Sequence, residues 1–343
     1  MKTSVHPLVL ASLLLSACTT LHTPNRTMFQ IGLMGDMPYT TEEERKMPAL
    51  MEDMNRHELA FVVQNGDFQA DPRGYRDGMV PCTDATLLAR VEVFQSSRHP
   101  LVVTPGDNDW TDCAHAKPPI DPMPRLAKLR EVLYRDNLSL GQRKMAVMQQ
   151  SDDPNYAIFR ENARWNVGEV AFATIHIVGS NNNLGRTPEM DGEYRERNAA
   201  SLAWLRLVFH HAKLESRKGL MIVIQANPRF EDKWPRGFFG RLRTTPPGKE
   251  ASGFSDFLAA LEEETIAYGK PVVLVHGDTH YFRIDKPLIG TKSGRAIENF
   301  TRVENFSTPD VHWLRVTVDP SDPQVFTFRQ EIVAKNLSNH GGL

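Results

Sequence analysis

Six short apolar runs recur along the chain, and each breaks on a polar cluster. Residues 28–34 run into Gly35-Asp36, residues 60–65 into Gly66-Asp67, and residues 101–105 into Gly106-Asp107-Asn108-Asp109. Residues 170–178 run into Gly179-Ser180-Asn181-Asn182-Asn183, residues 220–224 into Gln225-Ala226-Asn227-Pro228, and residues 271–275 into His276-Gly277-Asp278-Thr279-His280. Runs this short, β-branched and almost wholly apolar predict strands buried on both faces. Helical periodicity lies between them, over residues 42–58, 83–97, 123–137, 193–214 and 254–268. Alternation of strand and helix predicts an α/β layered fold. Beyond residue 280 the pattern changes to apolar/polar alternation at 312–318 and 325–329, which predicts antiparallel strands at sheet edges. The stretch 28–335 reads as one domain.

Composition narrows the class. The chain has 343 residues, 24% charged and 41% hydrophobic, which excludes wholesale disorder, collagen-like repeats and a polytopic membrane protein. Forty basic residues against forty-two acidic ones leave a net charge of −2, so no nucleic-acid specificity is expected. No Walker A loop, G-x-S-x-G elbow, H-E-x-x-H motif or dinucleotide fingerprint is present.

The N-terminus has a charged start and an apolar run from Leu8 to Ala17. That run is too short to span a bilayer, which takes about 20 residues, and fits a secretory signal. Leu15-Ser16-Ala17-Cys18 resembles a bacterial lipobox. The resemblance implies a lipoprotein signal peptide over 1–17, lipidation of Cys18, a polar tether over 18–27, and a place in the bacterial cell envelope, lipid-anchored and facing the periplasm or the exterior. An ordinary signal peptide with an incidental cysteine is the alternative. Removing Cys18 leaves Cys82 and Cys113, both placed in an oxidising compartment. They form a disulfide or part of a metal site. The lack of C-x-x-C spacing favours the disulfide, whose loop closure is worth roughly 3–4 kcal/mol.

Four Gly-Asp pairs end strands, at Asp36, Asp67, Asp107 and Asp278. The carboxyl ends of strands in open α/β sheets form the ligand crevice. These carboxylates, with Asp109 and His280, are therefore expected to converge. One such pair is ordinary turn chemistry; four at equivalent places point to function. Clustered carboxylates repel one another unless a cation sits among them, which predicts a divalent metal site.

The order Gly-Asp…Gly-Asp…Gly-Asp-Asn-Asp…Gly-x-x-His resembles the calcineurin-like metallophosphoesterase superfamily, over residues 28–285. The resemblance implies a metallophosphatase-like sandwich of two mixed β-sheets flanked by helices. It implies a metal-dependent hydrolase of phosphoesters, in which water activated by two divalent ions attacks phosphorus. By position, Asp36, Asp67 and His280 would hold one ion. Asp67, Asp107, Asp278 and Gln225 would hold the other, with Asn227 in place of Gln225 if the register slips. Several family histidines are replaced: Pro38, Asn108, Gln225 and Asp278 stand where the family has histidine, and Asp107 stands where it has asparagine. Oxygen donors then dominate, which favours Mn²⁺ or Mg²⁺ over Zn²⁺. Asn108 can hydrogen-bond a phosphoryl oxygen but supplies no proton. Asp109 matches the acid that follows it, and His276 is either a substitute proton donor or a plain strand-end histidine. Loss of a general acid costs about 10²–10⁴-fold in rate, so diesters or anhydrides with good leaving groups suit the site best. The alternative is a catalytically weak binding module of the envelope that kept the fold.

Asn181, Asn182 and Asn227 are candidate substrate contacts at the crevice, with Asn181–Asn183 equally readable as an Asx-rich turn. Residues 229–250 are basic and aromatic, from Arg229 to Lys249, and read either as a cover for the site or membrane contact, or as a long solvated loop. Packing is expected for Tyr39 and Tyr281.

Overall fold

Strand C-termini from two different sheets meet at one end of this molecule. The computed structural model describes Met1 and residues 28–74, 80–233 and 252–337. Cys18, the expected signal peptide and tether, and residues 234–250 of the basic loop lie outside the described residues. In chain order the elements are β1 (Phe29–Met34), α1 (Thr41–Asn55), β2 (Val62–Gln64), α2 (Asp84–Gln95), β3 (Leu101–Val103), α3 (Pro122–Leu133), β4 (Met148–Gln149), β5 (Ala163–Val167), β6 (Val170–Thr174), α4 (Gly179–Asn182), α5 (Pro188–Leu214), β7 (Gly219–Val223), α6 (Ser255–Tyr268), β8 (Val272–His276), β9 (Arg283–Asp285), β10 (Phe300–Glu304), β11 (Trp313–Val318) and β12 (Phe326–Glu331).

One sheet has the order β12-β11-β1-β2-β3, the other β4-β5-β6-β7-β8-β10-β9. Both are mixed. The runs predicted as doubly buried strands are the parallel ones, β1–β2–β3 and β6–β7–β8. The alternating segment at 312–318 is β11, antiparallel to β1 and β12. Inner faces of the two sheets share a core of Ile31, Leu33, Val63, Phe172, Val223, Val275 and Val316. Helices α1, α2 and α3 cover the outer face of the first sheet through Met47, Leu50, Phe94 and Leu129. Helices α5 and α6 cover the second through Trp204, Leu205, Phe209, Phe257 and Leu261. The result is a four-layer sandwich, two mixed sheets flanked by helices.

Local chemistry sets the helix ends. Thr40, Thr83, Asp121 and Thr187 each accept a backbone N–H of the first turn, and α3 and α5 start on proline. Apolar periodicity puts the start of α5 at residue 193; the Thr187-Pro188 cap sets it more than one turn earlier. In the other direction, α3 stops at Leu133 rather than 137. The expected 170–178 strand pairs only as far as Thr174. Four strands carry no sequence expectation: β4, β5, β9 and β10. Among the described residues, no helix is long and apolar enough to cross a membrane.

Candidate metal and phosphoester site

Parallel register brings β1, β2 and β3 level at their C-terminal ends, with Met34 opposite Gln64 and Gln64 opposite Val103. Asp36, Asp67 and Asp107 therefore leave the sheet side by side. In the second sheet Thr174 pairs with Val223, and Val223 with Val275, so Gly179, Gln225 and Asp278 emerge at the same end. Hydrogen bonds tie the two sets together. Asp36 Oδ1 accepts from Asp278 N at 2.9 Å, and Asp67 Oδ2 accepts from Gln225 Nε2 at 3.0 Å.

Each predicted ligand has a defined place. Asp67 is held by three protein donors: Asn108 N to Oδ1 at 3.1 Å, and the Tyr39 hydroxyl (2.9 Å) and Gln225 Nε2 to Oδ2. Asp278 Oδ2 accepts from Asn227 N at 3.0 Å. His280 Nε2 lies 3.9 Å from Asp36 Oδ1, with the Tyr39 ring packed edge-on against its imidazole. Asp36 Oδ2 and Asp107 Oδ1 are buried and have no hydrogen-bond partner. Gly179 and Gly277 line this space. A Cβ on Gly179 would sit 2.5 Å from Asp278 Oδ1 and 2.7 Å from both Asp107 oxygens, and one on Gly277 would collide with Asp36 Oδ2.

The electrostatics follow from that crowding. Burial, then neighbouring carboxylates, push Asp67 well above the ordinary carboxylate range. Burial likewise raises Asp36, and Asp107, where Asp278 adds repulsion. Asp278 is pushed up to about 6, burial being the largest cause. Buried carboxyl oxygens without donors, on mutually repelling acids, are the donor set that a hard divalent cation satisfies. The residues fit such an ion. They converge without closing, however: among the described residues no three of Asp36, Asp67, Asp107, Asp278 and His280 bring ligand atoms within 4.8 Å of one another, and the group that does is Asp71, Asp112 and His115.

The sequence pattern does not anticipate that triad. His115 Nδ1 lies 3.3 Å from Asp71 Oδ1 and 3.6 Å from Asp112 Oδ2. Two arginines already pair with its acids, Arg73 with Asp71 and Arg186 with Asp112. Ser180 Oγ donates to Asp112 at 3.2 Å, which joins the triad to the crevice. The signal that could have found it is the cysteine pair. Cys82 and Cys113 form a disulfide, and Cys113 adjoins Asp112.

Other expected residues take different roles. Asp109 does not face the crevice: its two oxygens accept from the backbone N–H groups of Gly106, Asp67 and Phe68 at 2.8–3.0 Å. Burial pushes it up to about 7, and it fixes the loops that carry Asp67 and Asp107. His276 is fully buried, with Nδ1 2.8 Å from Gly277 O and Nε2 4.0 Å from Glu304. Burial pushes it down to about 3. An imidazole this buried and turned towards Glu304 favours the strand-end histidine over the substitute proton donor. Asn108 is positioned by its backbone, which donates to Asp67 and accepts from Gln69 at 2.9 Å.

The asparagine triplet shapes the backbone at this end, in keeping with the Asx-rich turn that the sequence also allows. Ser180, Asn181, Asn182 and Asn183 all have left-handed φ, between 50° and 68°. Asparagine tolerates that region better than other non-glycine residues. Asn181 Oδ1 accepts from Gly253 N at 2.9 Å; Asn182 accepts from Arg197 Nη1 at 2.5 Å and donates to Gly253 O at 3.1 Å. Asn227 contributes its N–H to Asp278, while its side chain accepts from Arg229 N at 3.1 Å. Among the described residues, nine of the twelve non-glycine residues with positive φ lie in the segments that follow β1, β2, β6, β7 and β8: Asp36, Asp67, Ser180 to Asn183, Arg229, Asp278 and His280. Strain of this kind gathers at functional sites.

No family model matches the chain, and no curated protein matches it. Solved structures do. One described as the structure of PhoD superposes with a TM-score of 0.50 at 12% identity, covering 85% of this chain and 64% of that one. This chain thus spans less than two thirds of the PhoD chain. GAP50, described as the anchor in the inner membrane complex of Plasmodium, gives a TM-score of 0.42 at 11% identity, covering 89% of each chain. Vacuolar protein sorting 29 from Cryptosporidium parvum gives 0.30 at 8% identity, covering 89% of this chain and 97% of that one. The PhoD likeness concerns the fold, a metallophosphatase-like sandwich of two mixed sheets flanked by helices.

Proposed function

We propose that this protein is a metal-dependent hydrolase of phosphoesters, acting where the strand ends of both sheets meet. One observation carries the reading: Asp36 Oδ2 and Asp107 Oδ1 are buried and unpartnered in a glycine-lined crevice where four Gly-Asp strand ends converge. A divalent cation held there would supply charge neutralisation at the phosphoryl group and activation of water. Asp36, Asp107, Asp278 and His280 would hold it, in a mostly oxygen donor set that favours Mn²⁺ or Mg²⁺. Asp67 is oriented by Tyr39, Gln225 and the Asn108 N–H. With His276 neutral and Asn108 in the proton donor's place, diesters and anhydrides with good leaving groups are the favoured substrates. A phosphoester panel with Mn²⁺ or Mg²⁺ tests this. Turnover that Asp36→Ala and Asp107→Ala each abolish supports it. Intact substrates under every metal overturn it, and stoichiometric metal without turnover would leave a ligand-binding module.

We further propose that the chain is lipidated at Cys18 and held in the bacterial envelope. The lipobox-like residues 15–18 and the apolar run before them support this. Mass spectrometry of the N-terminal peptide from membrane fractions decides it. An unmodified Cys18, or a Cys18→Ala chain that stays with the membrane, would overturn the anchor.

A further inference from the structure

The loop after β7 carries an arginine two residues from the Asn227 N–H that holds Asp278. Asn227 N donates to Asp278 Oδ2 at 3.0 Å, and Asn227 Oδ1 accepts from Arg229 N at 3.1 Å. These two bonds fold the chain so that Arg229 stands at the crevice lip, with φ at 57°. An arginine gains nothing intrinsic from the left-handed region, which costs roughly 1–2 kcal/mol. The next residue, Phe230, is buried against Phe300, so the turn is fixed from both sides. Arg229 itself is exposed. Among the described residues, other arginines near this end are occupied: Arg73 by Asp71, Arg186 by Asp112, Arg283 by Glu304, and Arg302 by Asp285. Among the described residues the Arg229 guanidinium makes no hydrogen bond or ion pair, and its backbone lies two residues from the Asn227 N–H that holds Asp278.

A planar fork of N–H donors, held unpaired on a strained turn beside a phosphoester crevice, has the geometry for an anionic oxygen pair. We propose that Arg229 is a substrate-binding residue that clamps the non-bridging oxygens of the phosphoryl group. This rests on the phosphoester reading. Its role is binding and orientation.

The test compares the full chain with Arg229→Ala and Arg229→Lys, in Mn²⁺, by steady-state kinetics and by calorimetric titration with inorganic phosphate. Arg229→Ala should raise KM at least about tenfold, with kcat within about twofold, as expected for loss of a charge-assisted bidentate contact made before the chemical step. Arg229→Lys should recover part of the loss, since lysine keeps the charge and loses the fork. Phosphate affinity should fall in parallel. Unchanged KM and unchanged phosphate affinity in Arg229→Ala overturn the inference while leaving the hydrolase reading intact. Phosphate bound through Arg229 without hydrolysis of any ester sustains the inference and overturns the hydrolase. Replacing an exposed side chain leaves the core untouched, and matched thermal melting of the three proteins checks this.

Discussion

The Gln225 amide bridges the two sheets, donating from Nε2 to Asp67 Oδ2 at 3.0 Å and accepting at Oε1 from Gly179 N at 2.6 Å. It stands where the family resemblance places a metal-binding histidine. Both ends of the amide are occupied by the protein, and the residue is fully buried. Its first role is thus to fix Asp67 and the start of the left-handed turn. Gln225→Leu strands a buried N–H and removes one of the three donors from Asp67. An unsatisfied buried group costs about 1–3 kcal/mol, so a lower urea midpoint with an unchanged slope is expected. Stability equal to the parent would show that the bridge contributes nothing.

Asp107 has the opposite sign. Its Oδ1 is buried without a partner, and burial and Asp278 both raise its pKa. Asp107→Asn removes one charge from a repelling group. The melting temperature without metal should rise, while the further rise on adding Mn²⁺ should shrink or vanish. Thermal melting in chelator and in Mn²⁺ reads both effects from one sample. A variant that melts lower in chelator yet gains as much from Mn²⁺ as the parent would refute this placement of the cation.

Sequence periodicity locates the parallel strands well because their residues are buried on both faces, as in Val272–Val275. It misses β10 because Arg302 sits inside it. That side chain is 1% exposed and is neutralised by Asp285 and Glu231, partners brought from elsewhere in the chain. β5 is hidden in a similar way by Arg164 and Asn166, on a strand with only alternate positions buried. The four Gly-Asp strand ends are legible because each aspartate lies within four residues of the end of its strand. The inward role of Asp109, the orientation of His276 and the Asp71–Asp112–His115 triad are not, because they depend on loops meeting across the fold. The asparagine triplet draws attention as polar chemistry, whereas its backbone conformation is what selects it.

Glu161 is expected to make the chain sensitive to acid. It is fully buried and accepts from Arg130 Nε at 3.0 Å and Nη2 at 2.5 Å, with His176 Nδ1 at 2.7 Å. Burial opposes its charge, but Arg130 and His176 prevail and hold the carboxyl well below the usual range. A depressed carboxylate contributes stability that is full above its unfolded pKa, near 4.5, and is lost as pH falls towards the lower folded value. The unfolding free energy should therefore drop below about pH 4.5. Glu161→Gln should cost about 3–5 kcal/mol at neutral pH, because Arg130 is left without its counter-charge. The same variant should flatten the acid limb. Urea titrations carried from neutral pH into the acid range test this, and an equally steep acid limb in Glu161→Gln would remove Glu161 as its source.

The Cys82–Cys113 disulfide closes a 31-residue separation and ties the loop after β2 to the turn after β3. Gln69 reinforces the same junction, accepting from Cys82 N at 2.8 Å and donating to Asn108 O at 2.9 Å. Asn108 N in turn orients Asp67. Loss of the bridge should therefore act mainly on stability, with Gln69 keeping Asn108 in place at the crevice. The chain-entropy model gives roughly 3–4 kcal/mol for a loop of this length, so Cys82→Ser with Cys113→Ser should melt several degrees lower. Because Gln69 still holds Asn108, the double variant should keep most of its stabilisation by Mn²⁺ at temperatures where it is folded. Loss of the Mn²⁺ response in a chain that remains folded would instead make the disulfide a determinant of the metal site itself.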